Sequence, residues 1–405
     1  MRDYIYLDNA ATSFPKPPQV LEAMAHYMNE VGANPGRSGH GLSVEAGRIV
    51  QRARESLATL FHIRDPSRIA FTLNVTESLN TIIQGFLNPG DHVITTGMEH
   101  NSVIRPLKEM ERRSLISLSI APCDRKGFLD MDALPKLVRK DTALMILNHA
   151  SNVCGTIQDI RSVRERIGEV PLLVDAAQTA GCLPIDVEAD GIDFLAFTGH
   201  KALLGPQGTG GLYIREGLRV RPLKQGGTGS VSEKTVQPDF LPDALESGTQ
   251  NNVGIAGLGA AVDFILRQGT SNIRDHEKTL TAALLKGLFP LQGLTIYGPL
   301  KADLQTACVS VTFDSVLPAG ERHQPTGCGS INLAWMEEGI SPAHAEKELR
   351  SEYDILVRVG LHCAPLAHQT LHTYPEGTVR LSMGYFNTIE QMDYTAKSIA
   401  QITAL

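Results

Sequence analysis

Short runs that are apolar throughout alternate along this chain with longer stretches whose apolar residues recur every three or four positions. Runs of the first kind lie at 143–147, 194–197 and 212–214, with 171–175 closing on an acid, and strands of more mixed polarity are expected at 69–72, 91–95 and 117–120. Continuous apolarity over so few residues predicts strands buried on both faces, and the helical period predicts amphipathic helices between them. A helix is expected over 19–30, opened by Pro15, Pro17 and Pro18, since proline is tolerated in a first turn. Another is expected from Ser43, as its cap, to Phe61, with Val44, Ile49, Val50, Ala53 and Leu57 as its apolar stripe. Asn74 opens a third, to about Leu87, and a further one starts at Asp130. Strands and helices alternating between 60 and 215 spell a βα-repeating domain with a mostly parallel sheet. Residues 216–250 are loop-rich, and a helix follows from Val253 to about Leu266. After a boundary near 265–275 the pattern becomes helix (275–288), strands (294–297, 308–313), helix (341–353) and strands near 357–359 and 377–384. The expected division is a large domain over 15–265 and a smaller α+β domain built from 1–14 and 266–405.

The ends of the predicted strands collect polar groups. Asp175 and Gln178 close the run at 171–175, and Thr198, His200 and Lys201 close the run at 194–197 before a Gly/Pro-rich loop. Open α/β sheets bind ligands at such strand ends. A lysine there is either solvent-facing and idle, or desolvated and reactive, because burial disfavours the ammonium and frees the amine for Schiff-base chemistry. Asp175 either caps the next helix or pairs with a protonated ring nitrogen. The Asn74-Val-Thr76-Glu77 start of a helix after a strand offers N–H groups and a positive dipole end to an anion such as a phosphate. His100 and Asn152 end two further strands, His100 as a ring to stack and shuttle protons, Asn152 as a hydrogen bonder. Ala10 and Ala11 are small enough to let backbone approach a ligand. Near the C-terminus, Arg358-Val-Gly-Leu-His-Cys363-Ala sets a thiol beside a histidine and an arginine. Positive neighbours favour the thiolate. Arg380, in a predicted strand, has the fork geometry for a carboxylate.

Composition narrows the class. The chain has 405 residues, 42% apolar and 20% charged, the profile of a globular rather than a disordered protein. A net charge of −7 argues against a nucleic-acid footprint. No apolar run approaches the ~20 residues of a membrane span, and the first residues lack the apolar block of a signal peptide. A soluble, cytoplasmic protein is expected. The six cysteines are scattered without a Cys-x-x-Cys pair, so neither a zinc site nor a disulfide scaffold is indicated. The dinucleotide glycine fingerprint is also missing, which disfavours NAD or ATP.

Taken together, Asp175-x-x-Gln178, Thr198-x-His200-Lys201 and Arg358-x-Gly-x-His-Cys363 resemble the class V branch of fold-type I pyridoxal phosphate (PLP) enzymes. Within it they resemble the short-loop cysteine desulfurases, a group that includes selenocysteine lyases. The resemblance runs from Tyr6 to Asn387 and implies an α/β fold: a large domain with a mostly parallel seven-stranded sheet, plus a smaller α+β C-terminal domain. It implies PLP held by Lys201, with Asp175 at the pyridine nitrogen, Gln178 at the phenolic oxygen and His100 over the ring. The phosphate falls to Thr76, Glu77, Thr198, His200 and a partner subunit's copy of Thr249, which implies a homodimer with shared active sites. Ala11, Asn152, Arg358 and Arg380 are implied around the substrate, L-cysteine or L-selenocysteine. Cys363 is implied to take the sulfur as a persulfide and pass it to an acceptor protein. Alternatives of the same fold are a selenocysteine lyase, a lyase needing no thiol, or an aminotransferase; a non-enzymatic scaffold for an acceptor protein is the remaining one. One departure is an unusual loop at 315–330 that contains Cys328.

Overall fold

The computed structural model describes residues 4–36, 38–314 and 340–403; the 315–330 loop and Cys328 lie outside them. In chain order the elements are β1 (Ile5–Tyr6), α1 (Pro18–His26), α2 (Gly41–Leu60), β2 (Ile69–Thr72), α3 (Val75–Phe86), β3 (His92–Thr96), α4 (Asn101–Arg112) and β4 (Ser117–Ala121). Then come α5 (Leu134–Leu137), β5 (Thr142–Asn148), α6 (Ile160–Ile167), β6 (Leu172–Asp175), β7 (Phe194–Thr198), β8 (Gly210–Ile214), α7 (Asn252–Gln268) and α8 (Thr270–Leu288). The remainder is β9 (Leu294–Tyr297), β10 (Cys308–Phe313), α9 (Pro342–Tyr353), β11 (Ile355–Leu356), β12 (Arg358–Gly360), α10 (Pro365–Thr370), β13 (Thr378–Ser382) and α11 (Ile389–Thr403).

Seven strands form one sheet in the order β2-β8-β7-β6-β5-β3-β4. Every pairing from β7 to β4 is parallel, and β8 alone runs against the rest, antiparallel to both β7 and β2. The uninterrupted apolar runs have a direct cause, since this sheet is covered on both faces. Leu172, Val174, Leu195 and Phe197 point into a core shared with α2, α6 and α7. Leu173, Phe194 and Ala196, one position out of phase, point into a second core shared with α3 and α4. A one-residue slip would exchange the two sets. With each buried Leu, Ile or Phe contributing about 1.5–3 kcal/mol, the register is firmly set, and so are the strand ends that carry the polar groups.

A smaller antiparallel sheet, β12-β13-β10-β9, packs with α8, α9 and α11 around a separate core that takes in Leu7. β1 pairs in parallel with β11, so the first residues join the last third of the chain. A single residue, Gly269 (φ 82°), separates α7 from α8. Three local expectations are revised. Helix α2 starts at Gly41 and is capped by His40, whose Nδ1 accepts from the Ser43 N–H at 3.3 Å; the Ser43 hydroxyl instead donates to the Asn34 carbonyl. The helix expected from Asp130 shrinks to α5; the Asp130 carboxylate accepts from the Asp132 and Ala133 N–H groups and caps a turn that leads into its four helical residues. The helix over 19–30 ends at His26 and continues as one wide π turn, Tyr27–Val31. Among the described residues no helix is long and apolar enough to cross a membrane.

Candidate active site

The C-terminal ends of β5, β6 and β7 lie side by side, with Asn148 opposite Asp175 and Asp175 opposite Ala196. From β7 the chain enters the loop that carries Lys201 and returns along β8, with Thr198 opposite Gly210. The loop is closed by Gly199 N–H to the Thr209 carbonyl (2.8 Å) and Gly205 N–H to the Gly199 carbonyl (2.7 Å). The N-terminal segment ties it from outside. Ser13 Oγ donates to the Lys201 carbonyl at 2.9 Å, and Lys16 Nζ donates to the His200 carbonyl at 2.8 Å. Gly210 is required because a Cβ there would lie 2.9 Å from the Asn74 backbone. That close approach sets the N-terminus of α3 against the lysine loop.

Burial pushes the Lys201 amine down to about 8. Asp175 and Cys363 oppose the shift, while Arg380 and Arg358 reinforce it, so four sequence-distant charges converge on one amine. Asp175 is itself buried; burial raises its carboxyl, held back by the Ala177 N–H at 2.9 Å and by Lys201. Gln178 reaches over to donate to the Ala10 carbonyl at 3.1 Å, which fixes the Ala10–Ala11 segment beside the same site. Thr198 is buried with its hydroxyl on the Thr209 carbonyl (3.4 Å).

His100 caps α4: its Nδ1 accepts from the Ser102 N–H at 3.1 Å, which leaves the ring proton on Nε2. Burial, then the positive charges of Lys201, Arg358, Arg105 and Arg380, lower it to about 4. The ring is therefore neutral at pH 7. It lines a cleft of about 510 Å³ together with Thr76 at the α3 N-terminus, Arg105 and Cys363. Glu77 takes a different part. Its carboxylate accepts from the Leu73 N–H (2.6 Å) and pairs with Lys224 (2.5 Å), while Asn74 caps its N–H. It completes the helix cap, with both oxygens spent. Thr249 is exposed, and its hydroxyl accepts from Asn34 at 3.4 Å.

Cys363 is exposed, 3.9 Å from a guanidinium nitrogen of Arg358, and its carbonyl accepts from the Asn101 N–H at 2.8 Å. The histidine before it supplies no positive charge. His362 is buried, and burial, then Arg380 and His368, lower it to about 2. Arg358 is thus the cation next to the thiol. On the neighbouring strand, Arg380 is 1% exposed, with Nη1 on the Asn152 carbonyl (2.9 Å) and Nη2 on Asp8 (2.6 Å). Arg380 Nε, Asn152 Oδ1 and His200 Nδ1 are buried without partners. A donor and an acceptor left open beside one another suit an amino acid's carboxylate and ammonium.

Four groups in this neighbourhood escape sequence reasoning. Asp8 neutralises Arg380; its one signal is that an arginine inside an apolar strand needs an acid. Ser13 and Lys16 bind the lysine loop through backbone carbonyls and leave no trace in the pattern. Glu99 is fully buried, raised by burial to about 8, and accepts from Thr96 (2.9 Å) and the Asn148 N–H (3.1 Å). Among the described residues no group of His, Cys, Asp and Glu could hold a metal ion.

The aminotransferase class-V family model matches residues 5–395. The chain belongs to that family. This class-V chain is 33% identical over 414 residues to a probable cysteine desulfurase of Methanothermobacter thermautotrophicus, a match that covers 100% of this chain and 96% of the relative. It is also 33% identical to a cysteine desulfurase of Cronobacter sakazakii, covering 99% and 93% of the two chains. Among solved structures, the apo cysteine desulfurase of Thermococcus onnurineus NA1 superposes with a TM-score of 0.86 at 30% identity, over 99% of this chain and 95% of that one.

Proposed function

We propose that this class-V protein is a PLP-dependent cysteine desulfurase that converts L-cysteine to L-alanine and leaves the sulfur as a persulfide on Cys363. The observation that carries the reading is a buried, charge-depleted lysine on which an exposed cysteine from the far end of the chain acts electrostatically. The relatives that match nearly the whole chain bear the same activity in their names.

The residues present fit PLP. Lys201 offers an amine near neutral pH, Asp175 a buried acid for a ring nitrogen, and His100 a neutral ring over the cleft. Thr76 and the α3 N-terminus, with the unpartnered His200 Nδ1, offer donors for a phosphate. When bound, PLP supplies an electron sink for the substrate α-carbon. The chain does the rest. Arg380, through its open Nε donor, holds the α-carboxylate, and the open Asn152 Oδ1, which can only accept, takes a hydrogen bond from the α-ammonium of the incoming amino acid. With its amine lowered to about 8, Lys201 takes a proton from the α-carbon, since a base works best near the operating pH. His100 holds a proton at Nε2 for return to carbon. Cys363 Sγ bonds to the substrate sulfur as the Cβ–S bond breaks; that electron pair stays with carbon, which is then protonated. The balance is one thiol and one cysteine in, one persulfide and one alanine out. Arg358 offers the anionic sulfur a counter-charge throughout. The persulfide then passes to a thiol or acceptor protein. A homodimer, with the partner subunit's Thr249 at the phosphate, and a division into 15–265 against 1–14 with 266–405, belong to the same proposal.

The test uses wild type and Cys363→Ala with L-cysteine and a reductant, following sulfide and alanine together. Equal yields from wild type and neither product from the variant are expected. Undiminished turnover in the variant would remove Cys363 from the reaction and point to a lyase or an aminotransferase, with pyruvate and ammonia as the next products to measure.

A further inference from the structure

The chain around Cys363 is held in an unfavourable shape. His362 (φ 50°) and Cys363 (φ 58°) are consecutive non-glycine residues in the left-handed region, a conformation that persists only when its surroundings over-determine it. Two of the restraints are plain: Asn152 Nδ2 donates to the His362 carbonyl at 2.7 Å, and the Asn101 N–H to the Cys363 carbonyl at 2.8 Å. The third is a pair of buried imidazoles behind the thiol. His362 is 3% exposed and His368, on α10, 0%. Their ring planes lie 18° apart, with centroids 5.5 Å from one another.

Hydrogen-bond accounting fixes every proton in this group. His362 Nε2 lies 3.3 Å from the Arg358 carbonyl, which can only accept, so Nε2 carries the hydrogen. In a neutral ring Nδ1 is then an acceptor, and its neighbour at 3.4 Å, His368 Nε2, must donate. His368 Nδ1 is in turn an acceptor and takes the Thr373 hydroxyl proton at 2.7 Å. The chain Thr373 to His368 to His362 to the Arg358 carbonyl thus has one direction. An extra proton on His362 Nδ1 would set two N–H groups face to face, whereas one on His368 Nδ1 would turn the Thr373 hydroxyl to the His368 carbonyl, 3.5 Å away. Burial agrees, lowering His362 to about 2 and His368 to about 4.

We infer that His368, acting through His362 and anchored by Thr373, is a positioning residue that locks the left-handed turn and so holds Cys363 Sγ at Arg358. His368 touches neither the thiol nor the cleft. It acts by denying the His362 ring any other orientation, so that the strained turn cannot relax and carry the sulfur away from the guanidinium. This deepens the desulfurase reading and rests on it for its effect on turnover, while the effect on the thiol itself does not.

The test compares wild type, His368→Gln, His368→Leu and Thr373→Val. Glutamine keeps an N–H donor close to the position of imidazole Nε2; leucine keeps the bulk and removes it. Two quantities are followed at pH 7.5: the rate of Cys363 alkylation by iodoacetamide, located by peptide mass, and kcat and KM for L-cysteine. A misplaced reacting group costs one or more orders of magnitude, so His368→Leu is expected to lower both the alkylation rate and kcat roughly tenfold, with KM within about twofold. His368→Gln should recover to within about threefold of wild type, and Thr373→Val should fall between them. Should His368→Leu fail to fold, His368→Gln and Thr373→Val still order the series. A leucine variant that matches wild type in both quantities, or a glutamine variant as impaired as leucine, overturns the proposal. If wild type yields no alanine and sulfide, the desulfurase reading fails, while the alkylation series still decides whether the imidazole pair positions the thiol.

Discussion

The lysine at the centre of the site should be a liability to the fold in the absence of cofactor, and the structure gives the size of the effect. Burial lowers Lys201 from 10.5 to about 8, so the folded chain disfavours the ammonium by about 3 kcal/mol relative to the unfolded one, at 1.36 kcal/mol per unit. The sign follows from proton counts. Between pH 8 and 10.5 the unfolded chain binds more protons than the folded one, so stability rises with pH across that window. Below pH 8 both states are protonated and the full cost is present. Lys201→Met removes it. Part of the gain is returned because Asp175 loses the charge that holds its carboxyl down, so the net gain at pH 7 is about 1–3 kcal/mol. Urea unfolding of cofactor-free wild type and Lys201→Met at equal protomer concentration, followed by far-UV circular dichroism, measures it. The variant should be the more stable at pH 7, and its advantage should shrink toward pH 10. A variant less stable at pH 7, or an advantage independent of pH, would refute the assignment of a desolvated amine. The same shift leaves about one amine in ten unprotonated at pH 7, against fewer than about one in a thousand for an ordinary lysine.

Other expectations follow from single contacts. Asp8→Asn strands the buried Arg380 guanidinium, 2.6 Å from a carboxylate that is itself 22% exposed; a loss of about 2–3 kcal/mol in urea unfolding and a raised KM for L-cysteine are expected, and an unchanged KM would separate Arg380 from carboxylate binding. Asn74→Ala removes the cap of α3 and should cost about 1 kcal/mol while weakening cofactor affinity in a fluorescence titration; intact affinity would move the phosphate elsewhere.

The strand ends were legible in the sequence because a parallel sheet covered on both faces writes itself as apolar runs, and two of those runs end in candidate site residues: Asp175 closes β6, and Thr198 closes β7 with Lys201 just beyond. The motif at Arg358 to Cys363 could be read for the same local reason. What local patterning could not carry is which side chains meet from opposite ends of the chain. Asp8 and Arg380, Lys16 and the His200 carbonyl, and His362 and His368 are partners by tertiary packing alone. Glu77 shows the reverse: its position invited a place at the phosphate, while Asn74 and Lys224 bind it into the cap. His362 likewise reads as a cation in sequence and is a neutral ring once buried.

The threading of the first residues through the last third of the chain constrains how the protein is made. Asn9 donates to the Ser382 carbonyl, 373 positions later, and Ala10 donates to the Ser382 hydroxyl. On the ribosome the stretch from Tyr6 to Lys16 is made well before its docking surface around Ser382. The large sheet can form while translation continues, but the wall that braces the lysine loop cannot. A nascent chain therefore cannot hold a finished site until the stretch around Ser382 has been made.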